Sequence, residues 1–156
     1  MHFLIVADSF PPSKNSTAVQ IRHLSQEFFN QGHKVTLFIP TPDIKKSFEI
    51  KKLDFARVIY IRVPFLKSPR NTIRAIAEIL MPFLMIITIK KNNLFNFNID
   101  GLLWYSPSIF HGRLIKHLKK KNIFKSYLII RDIFPEWALD LKLMNKNIIY
   151  YFFRSV

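Results

Sequence analysis

Short apolar runs alternate with helical patterns along this chain. Phe3-Leu4-Ile5-Val6-Ala7 is a continuous apolar run about one strand long, the pattern of a strand buried on both faces. Asp8 to Ser16 contains Pro11-Pro12 and a polar cluster, so regular structure stops there. Ala18, Ile21, Leu24 and Phe28 follow at helical spacing, with Ser16 or Thr17 placed to cap that helix and Gly32 to end it. Lys34 to Ile39 is a second strand, closed by Pro40-Thr41-Pro42. A strand, a helix and a strand in this order predict a parallel, right-handed unit.

Asp43 to Phe55 is basic and patternless, and is expected as a mobile surface segment. Arg57 to Val63 alternates as a third strand, ended by Pro64. A helix starts at Asn71, with Ile73, Ile76, Ala77 and Leu80 expected on one face. It continues into the apolar run Ile79 to Ile89 and then Lys90-Lys91, with a kink expected at Pro82. The run is about half a bilayer span, and Arg74 and Glu78 bar its extension backward. Two readings stay open: a core helix in the layer outside the sheet, or a helix dipping into a membrane surface with its lysines at the headgroups.

Gly101 to Tyr105 is a fourth buried strand, broken by Ser106-Pro107-Ser108. Ile109 to Lys121 is a helix whose last residues, Lys119-Lys120-Lys121, suit its negative end. Ser126 to Ile130 is a fifth strand, expected to be fully buried, followed by Arg131-Asp132-Ile133-Phe134-Pro135-Glu136. Pro135 and Glu136 suit the first turn of a helix running from Trp137 toward Leu143. Ile148 to Phe153 is an apolar stretch that should be covered. The whole pattern is α/β: a Rossmann-like, doubly wound, mainly parallel sheet of about five strands or more with helices on both faces.

Composition narrows the function. The chain has 156 residues, enough for one domain with a real core, and at 49% hydrophobic it is not disordered. It has no cysteine, which excludes a disulfide framework, thiol catalysis and zinc-thiolate sites. Its three glycines, Gly32, Gly101 and Gly112, are too few and too far apart for a Gly-x-Gly-x-x-Gly turn or a P-loop. The five histidines and ten acids show no metal-ligand spacing, and no Gly-x-Ser-x-Gly elbow is present. The apolar start lacks a basic leader, so no secretory signal is expected. A formal charge of +14 implies an anionic partner: nucleic acid, anionic lipid or a phosphorylated ligand. Because the lysines fall at helix ends and loops and the aromatics in apolar runs, a membrane surface or an anionic ligand fits better than nucleic acid.

Three strand ends carry polar residues on what should be one edge of the sheet, where open α/β sheets bind ligands. They are Asp8 through Thr17, Ser106 to His111, and Arg131 to Glu136. Each has a plainer alternative. Asp8 also suits a loop cap, and Ser106 and Ser108 suit caps of the next helix. His111 is placed either to donate to a phosphate or to sit on the surface. Arg131, Asp132 and Glu136 also suit a helix cap with a surface ion pair. His33, beside Gly32, is expected to be structural.

The residues also carry a family resemblance. Phe3-Leu4-Ile5-Val6-Ala7-Asp8-Ser9-Phe10-Pro11-Pro12, Gly32-His33-Lys34-Val35-Thr36 and Arg131-Asp132-Ile133-Phe134-Pro135-Glu136-Trp137 together resemble the N-terminal domain of family 4 glycosyltransferases. With Tyr105-Ser106-Pro107-Ser108-Ile109-Phe110 and Ser126 to Asp132, the chain looks like the bacterial O-antigen enzymes described as L-fucosamine transferases. The similarity runs over nearly the whole chain. It implies a GT-B fold, two Rossmann-like domains with the acceptor bound by the first and the nucleotide sugar by the second. It further implies transfer with retention, no metal, and no cofactor beyond the nucleotide-sugar donor as co-substrate.

By position, Arg131 and Asp132 stand where many members place a cleft-facing histidine, and they are the expected catalytic pair. Asp132 would bond an acceptor hydroxyl, and Arg131 would pair with a phosphate or hold Asp132. Asp8, Ser16, Thr17, Ser106, Ser108, His111 and Glu136 are the expected acceptor- or phosphate-binding residues. Where the family often has Gly-Gly facing the donor diphosphate, this sequence has Thr17-Ala18, which resist the conformations glycine allows. The family's donor domain, with its paired glutamates, is not found in these residues. The chain is therefore expected to be a truncated form, inactive alone, or a half completed by a separate donor-domain chain. The acceptor implied is an undecaprenyl-diphosphate-linked sugar, and the location the cytoplasmic side of the bacterial inner membrane, held peripherally by anionic lipid. The alternative is a non-catalytic basic module for a membrane surface or nucleic acid.

Overall fold

The computed structural model describes residues 1–105, 110–120, 123–130, 135–142 and 144–154. In chain order the elements are β1 (His2–Val6), α1 (Ser16–Asn30), β2 (Lys34–Thr41), β3 (Phe48–Leu53), β4 (Ala56–Arg62), α2 (Asn71–Lys91), β5 (Gly101–Tyr105), α3 (His111–Lys119), β6 (Lys125–Ile129), α4 (Glu136–Asp140) and α5 (Ile148–Arg154). The strands form one six-stranded sheet in the order β3-β4-β2-β1-β5-β6. Every pairing is parallel except β3 with β4, as the alternation of strand and helix predicts.

Alternate residues of the central strands face opposite layers, because side chains along a strand point to opposite faces. Leu4, Val6, Phe38, Ile59 and Ile61 pack with Met81, Met85 and Ile89 of α2 and with Leu114, Ile115 and Leu118 of α3. Ile5, Ala7, Val35, Leu37 and Val58 pack on the other side with Ile21 of α1 and its half-buried Leu24 and Phe28. The chain builds outward from β1 to β2 and β4, then crosses back to lay β5 on the far side of β1. The strand order reverses between β1 and β5, and the crevice above that reversal is where a sheet of this kind takes a ligand.

The start and end of α1 are set locally. Asn15, not Ser16 or Thr17, is the cap: its side-chain oxygen accepts from the Ala18 N–H at 2.9 Å. Asn caps at least as well as Ser and Thr, and here it is one residue earlier. Gly32 ends the helix as expected, with φ of +79° and its N–H donating to Phe29, while His33 donates to Phe28. We expect Asn15→Ala to lower stability by about 1 kcal/mol. Thermal melts should register this as a fall of about 2–4 °C.

Several expectations are corrected. Phe48–Leu53 is a strand on the sheet edge, not an irregular segment. Only its end residues, Phe48 and Leu53, pack on the core, so it shows no alternation. β2 runs through Pro40 to Thr41. Phe38 presents its carbonyl to Ala7 on the β1 side, so Pro40, two residues on, faces the same way just beyond the end of β1. The missing proline N–H therefore removes no ladder bond.

α2 is one helix through Pro82, although Pro82 has no N–H to give the Glu78 carbonyl. Its buried face is Ala77, Met81, Pro82, Met85 and Ile89, while Ile76 and Leu80 are exposed. A helix that is apolar nearly all round does not announce which face it buries. β6 is a sheet edge, with Tyr127 and Ile130 exposed, rather than a fully buried strand. α4 stops at Asp140, short of Leu143, which lies outside the described residues together with Ile109 and Lys121. In α5, Tyr150 is buried and Phe153 stacks edge-on against Phe110, whereas Ile148, Tyr151 and Phe152 are exposed. The described side chains of the apolar stretch are thus partly covered.

Candidate functional site

The C-terminal ends of β1, β5 and β6 are neighbours, so the residues that follow them share one edge of the sheet. Asp8 lies two residues beyond the end of β1 and is half-buried. The loop that carries it is tied at three points. Phe10 is buried in the core, and the Tyr60 hydroxyl donates to the Pro11 carbonyl at 3.1 Å. The Ser9 hydroxyl donates to Asn15 at 2.9 Å, joining the loop to the cap of α1. The Pro11–Pro12 peptide bond is cis. At the end of β5, the buried Tyr105 hydroxyl donates to Gln20 on α1. The edge is therefore held by side-chain bonds from three different elements.

The sequence did not single out a second carboxyl that feels the charge of Asp8. Glu78 comes from α2, half-buried, with Arg74 one turn earlier at 3.8 Å. Burial pushes the Glu78 carboxyl up; Arg74 opposes the rise and the negative charge of Asp8 adds to it. Two carboxyl groups thus lie close enough for their charges to interact, and the Glu78 pKa is raised. A signal was present in the sequence: Glu78 is the only acid in a long apolar helix. A half-buried acid in such a helix needs a partner, and Arg74 supplies one.

His111 opens α3, after β5, on the face that also buries Leu114, Ile115 and Leu118. It is fully buried, and neither ring nitrogen has a hydrogen-bond partner among the described residues. Burial pulls its pKa down to about 4, so the ring is neutral at pH 7. The surface position expected as one alternative is not the one observed. Glu136 opens α4 and pairs with Arg154 of α5 at 3.7 Å, with both side chains largely solvated. Such a pair adds little stability.

Ser16 is exposed at the first turn of α1, and Thr17 beside it is buried; neither caps the helix. Ser106, Ser108, Arg131 and Asp132 lie outside the described residues. His33 is structural, as expected, packed against Phe3 and Phe28. Among the described residues no three His, Asp or Glu side chains gather closely enough to hold a metal ion. A groove of about 360 Å³ lined by Ile89, Lys90, Asn93, Phe95, His117 and Leu118 lies at the C-terminal ends of α2 and α3 and contains none of these site residues.

No protein-family model matches the chain, and no curated protein matches it in sequence. Solved structures do match. The structure described as trehalose-6-phosphate from E. coli bound with UDP-2-fluoro glucose aligns with a TM-score of 0.54 at 11% identity, over 91% of this chain and 37% of that one. The apo structure of OtsA aligns with a TM-score of 0.54 at 14% identity, over 90% of this chain and 36% of its own. The chain thus spans a little over a third of the structures it matches, and identities this low establish the fold alone. Those structures are GT-B glycosyltransferases, and the mainly parallel six-stranded sheet described here shares their fold.

Proposed function

We propose that this domain is the acceptor-side part of a sugar-transferring enzyme. It would move a sugar from a nucleotide-sugar donor to a lipid-linked acceptor during bacterial surface polysaccharide synthesis. One observation carries the reading: Asp8 follows β1 at the strand-order reversal, in a fold shared over 91% of the chain with a structure that holds a UDP-sugar analogue. A nucleic-acid module is not favoured by that likeness.

The chemistry of the edge suits the proposal. A carboxylate at the crevice accepts hydrogen bonds from sugar hydroxyls, each such charge-assisted bond being worth about 1.5–3 kcal/mol. Transfer also needs the negative charge growing on the leaving diphosphate to be stabilised, which is usually the largest catalytic term. In the proposed arrangement that task falls mainly to a donor-binding part across the crevice, on the same chain or on another. The finer reading follows the family resemblance: metal-free transfer with retention, an undecaprenyl-diphosphate-linked acceptor as in O-antigen assembly, and L-fucosamine as one candidate sugar.

Calorimetric titration of the purified protein with an undecaprenyl-diphosphate-linked sugar in detergent tests the acceptor role. Saturable one-to-one binding is expected, and no heat at any acceptor concentration rejects it. Turnover of nucleotide sugars is expected only with a donor-binding part present, and turnover by residues 1–156 alone would overturn that requirement.

A further inference from the structure

Four large apolar side chains stand out from α2 along a single line. Ile76 is 59% exposed, Leu80 47%, Phe83 40% and Ile87 60%. Their spacings of four, three and four residues place them on one stripe of the helix. At 1.5 Å per residue the stripe is roughly 16 Å long. It runs beside the face that Ala77, Met81, Met85 and Ile89 bury in the core. A continuous exposed stripe of this size on a soluble domain marks a surface that meets something apolar.

The surroundings say what that is. Arg70 and Arg74 lie at one end of the stripe and Lys90 and Lys91 at the other, all exposed. From the neighbouring α3, the Arg113 guanidinium sits over the Phe83 ring at 4.7 Å from its centroid. An apolar line bracketed by cations, in a chain of net charge +14, matches a layer whose interior is apolar and whose surface is anionic. A second copy of the chain fits poorly, because it would bring two strongly positive bodies together. Nucleic acid fits poorly as well, because the middle of the patch is apolar and the bases are at its ends.

We propose that this face of α2 docks on an anionic lipid bilayer, with Ile76, Leu80, Phe83 and Ile87 lying in the plane of the interface and the flanking bases at the headgroups. By length and composition α2 could cross a bilayer, but crossing would pull Ala77, Met81, Met85 and Ile89 out of the core. The helix therefore lies on the membrane. Glu78, the acid on α2, pairs with Arg74 at 3.8 Å, which offsets its charge near an anionic surface. The docking face deepens the proposal of a lipid-linked acceptor but stands on the surface itself, and its test needs neither sugar nor transfer.

Sedimentation with vesicles of phosphatidylcholine alone, or of phosphatidylcholine with phosphatidylglycerol, measures the docking. Binding is expected only with phosphatidylglycerol and should weaken as salt is added. The double variant Leu80→Ser/Phe83→Ser should bind about 100-fold more weakly at every salt concentration, since each inserted side chain contributes through its buried apolar area. Its melting temperature should fall only slightly, from the lost Arg113–Phe83 contact, because neither side chain belongs to the buried core. Arg74→Gln and Lys90→Gln should each lose about five-fold. Equal binding to both vesicle types, or unchanged binding by the double variant, overturns the proposal. Self-association without lipid that the double variant abolishes also overturns it, in favour of a second copy.

Discussion

His111→Leu is expected to make the protein more stable, by about 1–2 kcal/mol at pH 7 and by more in acid. The ring is fully buried, and neither nitrogen has a hydrogen-bond partner among the described residues. Leaving a polar group in that state costs about 1–3 kcal/mol, and leucine fills a similar space without polar atoms. The acid part follows from linkage. The folded pKa, about 4, lies below the ordinary 6.5, so the unfolded chain binds the proton more readily. The native protein should therefore lose stability as pH falls from about 6.5 toward 4, at up to about 1.4 kcal/mol per pH unit and about 3 kcal/mol in all. The leucine variant lacks this term, so the two unfolding curves should diverge steadily below pH 6.5. Urea melts at pH 7 and pH 5 settle it. A leucine variant less stable at both values would mean that the imidazole is satisfied within the fold and that a packing role explains it.

The sequence made the architecture readable because each level agreed. Continuous apolar runs marked β1, β2 and β5, helical spacing marked α1, and the alternation of the two marked a parallel sheet. What it hid were features that depend on neighbours. β3 is an edge strand with a solvated middle, so nothing in Glu49 to Lys52 alternates. β6 ends in the apolar run Tyr127-Leu128-Ile129, yet Tyr127 is largely exposed. α2 is apolar nearly all round, so Ile76 and Leu80 looked like core when the sheet in fact meets Ala77 and Met81. The site was legible in the same partial way. The edge was visible from the strand ends, and Asp8 was found on it. Glu78 was missed because it reaches that edge from a helix crossing over the sheet, and no spacing in the sequence records such a crossing.

Asp8→Asn should weaken binding of a lipid-linked sugar acceptor by about 10- to 100-fold, while Glu78→Gln should leave it nearly unchanged. Under the proposed role, the carboxylate of Asp8 is the acceptor of hydroxyl protons, and a charge-assisted bond of about 1.5–3 kcal/mol gives that range when lost. Glu78 is the neighbouring carboxyl. Its carboxyl is pushed up first by burial, with Arg74 opposing and Asp8 adding, so it takes a proton more readily than in the unfolded chain. A raised folded pKa contributes stability that is fully present below the ordinary value of 4.5 and is lost as pH rises through the folded value. Glu78→Gln removes that loss, so its stability should decline less than that of the native protein as pH rises from 4 to 8. Asp8→Asn removes one source of the shift and should flatten the same curve in part. Calorimetry with the acceptor, together with thermal melts across that range, reads both effects. If the two variants lose binding equally, the carboxylates bind the acceptor jointly. If neither loses it, the edge above β1 and β5 is not where the acceptor sits.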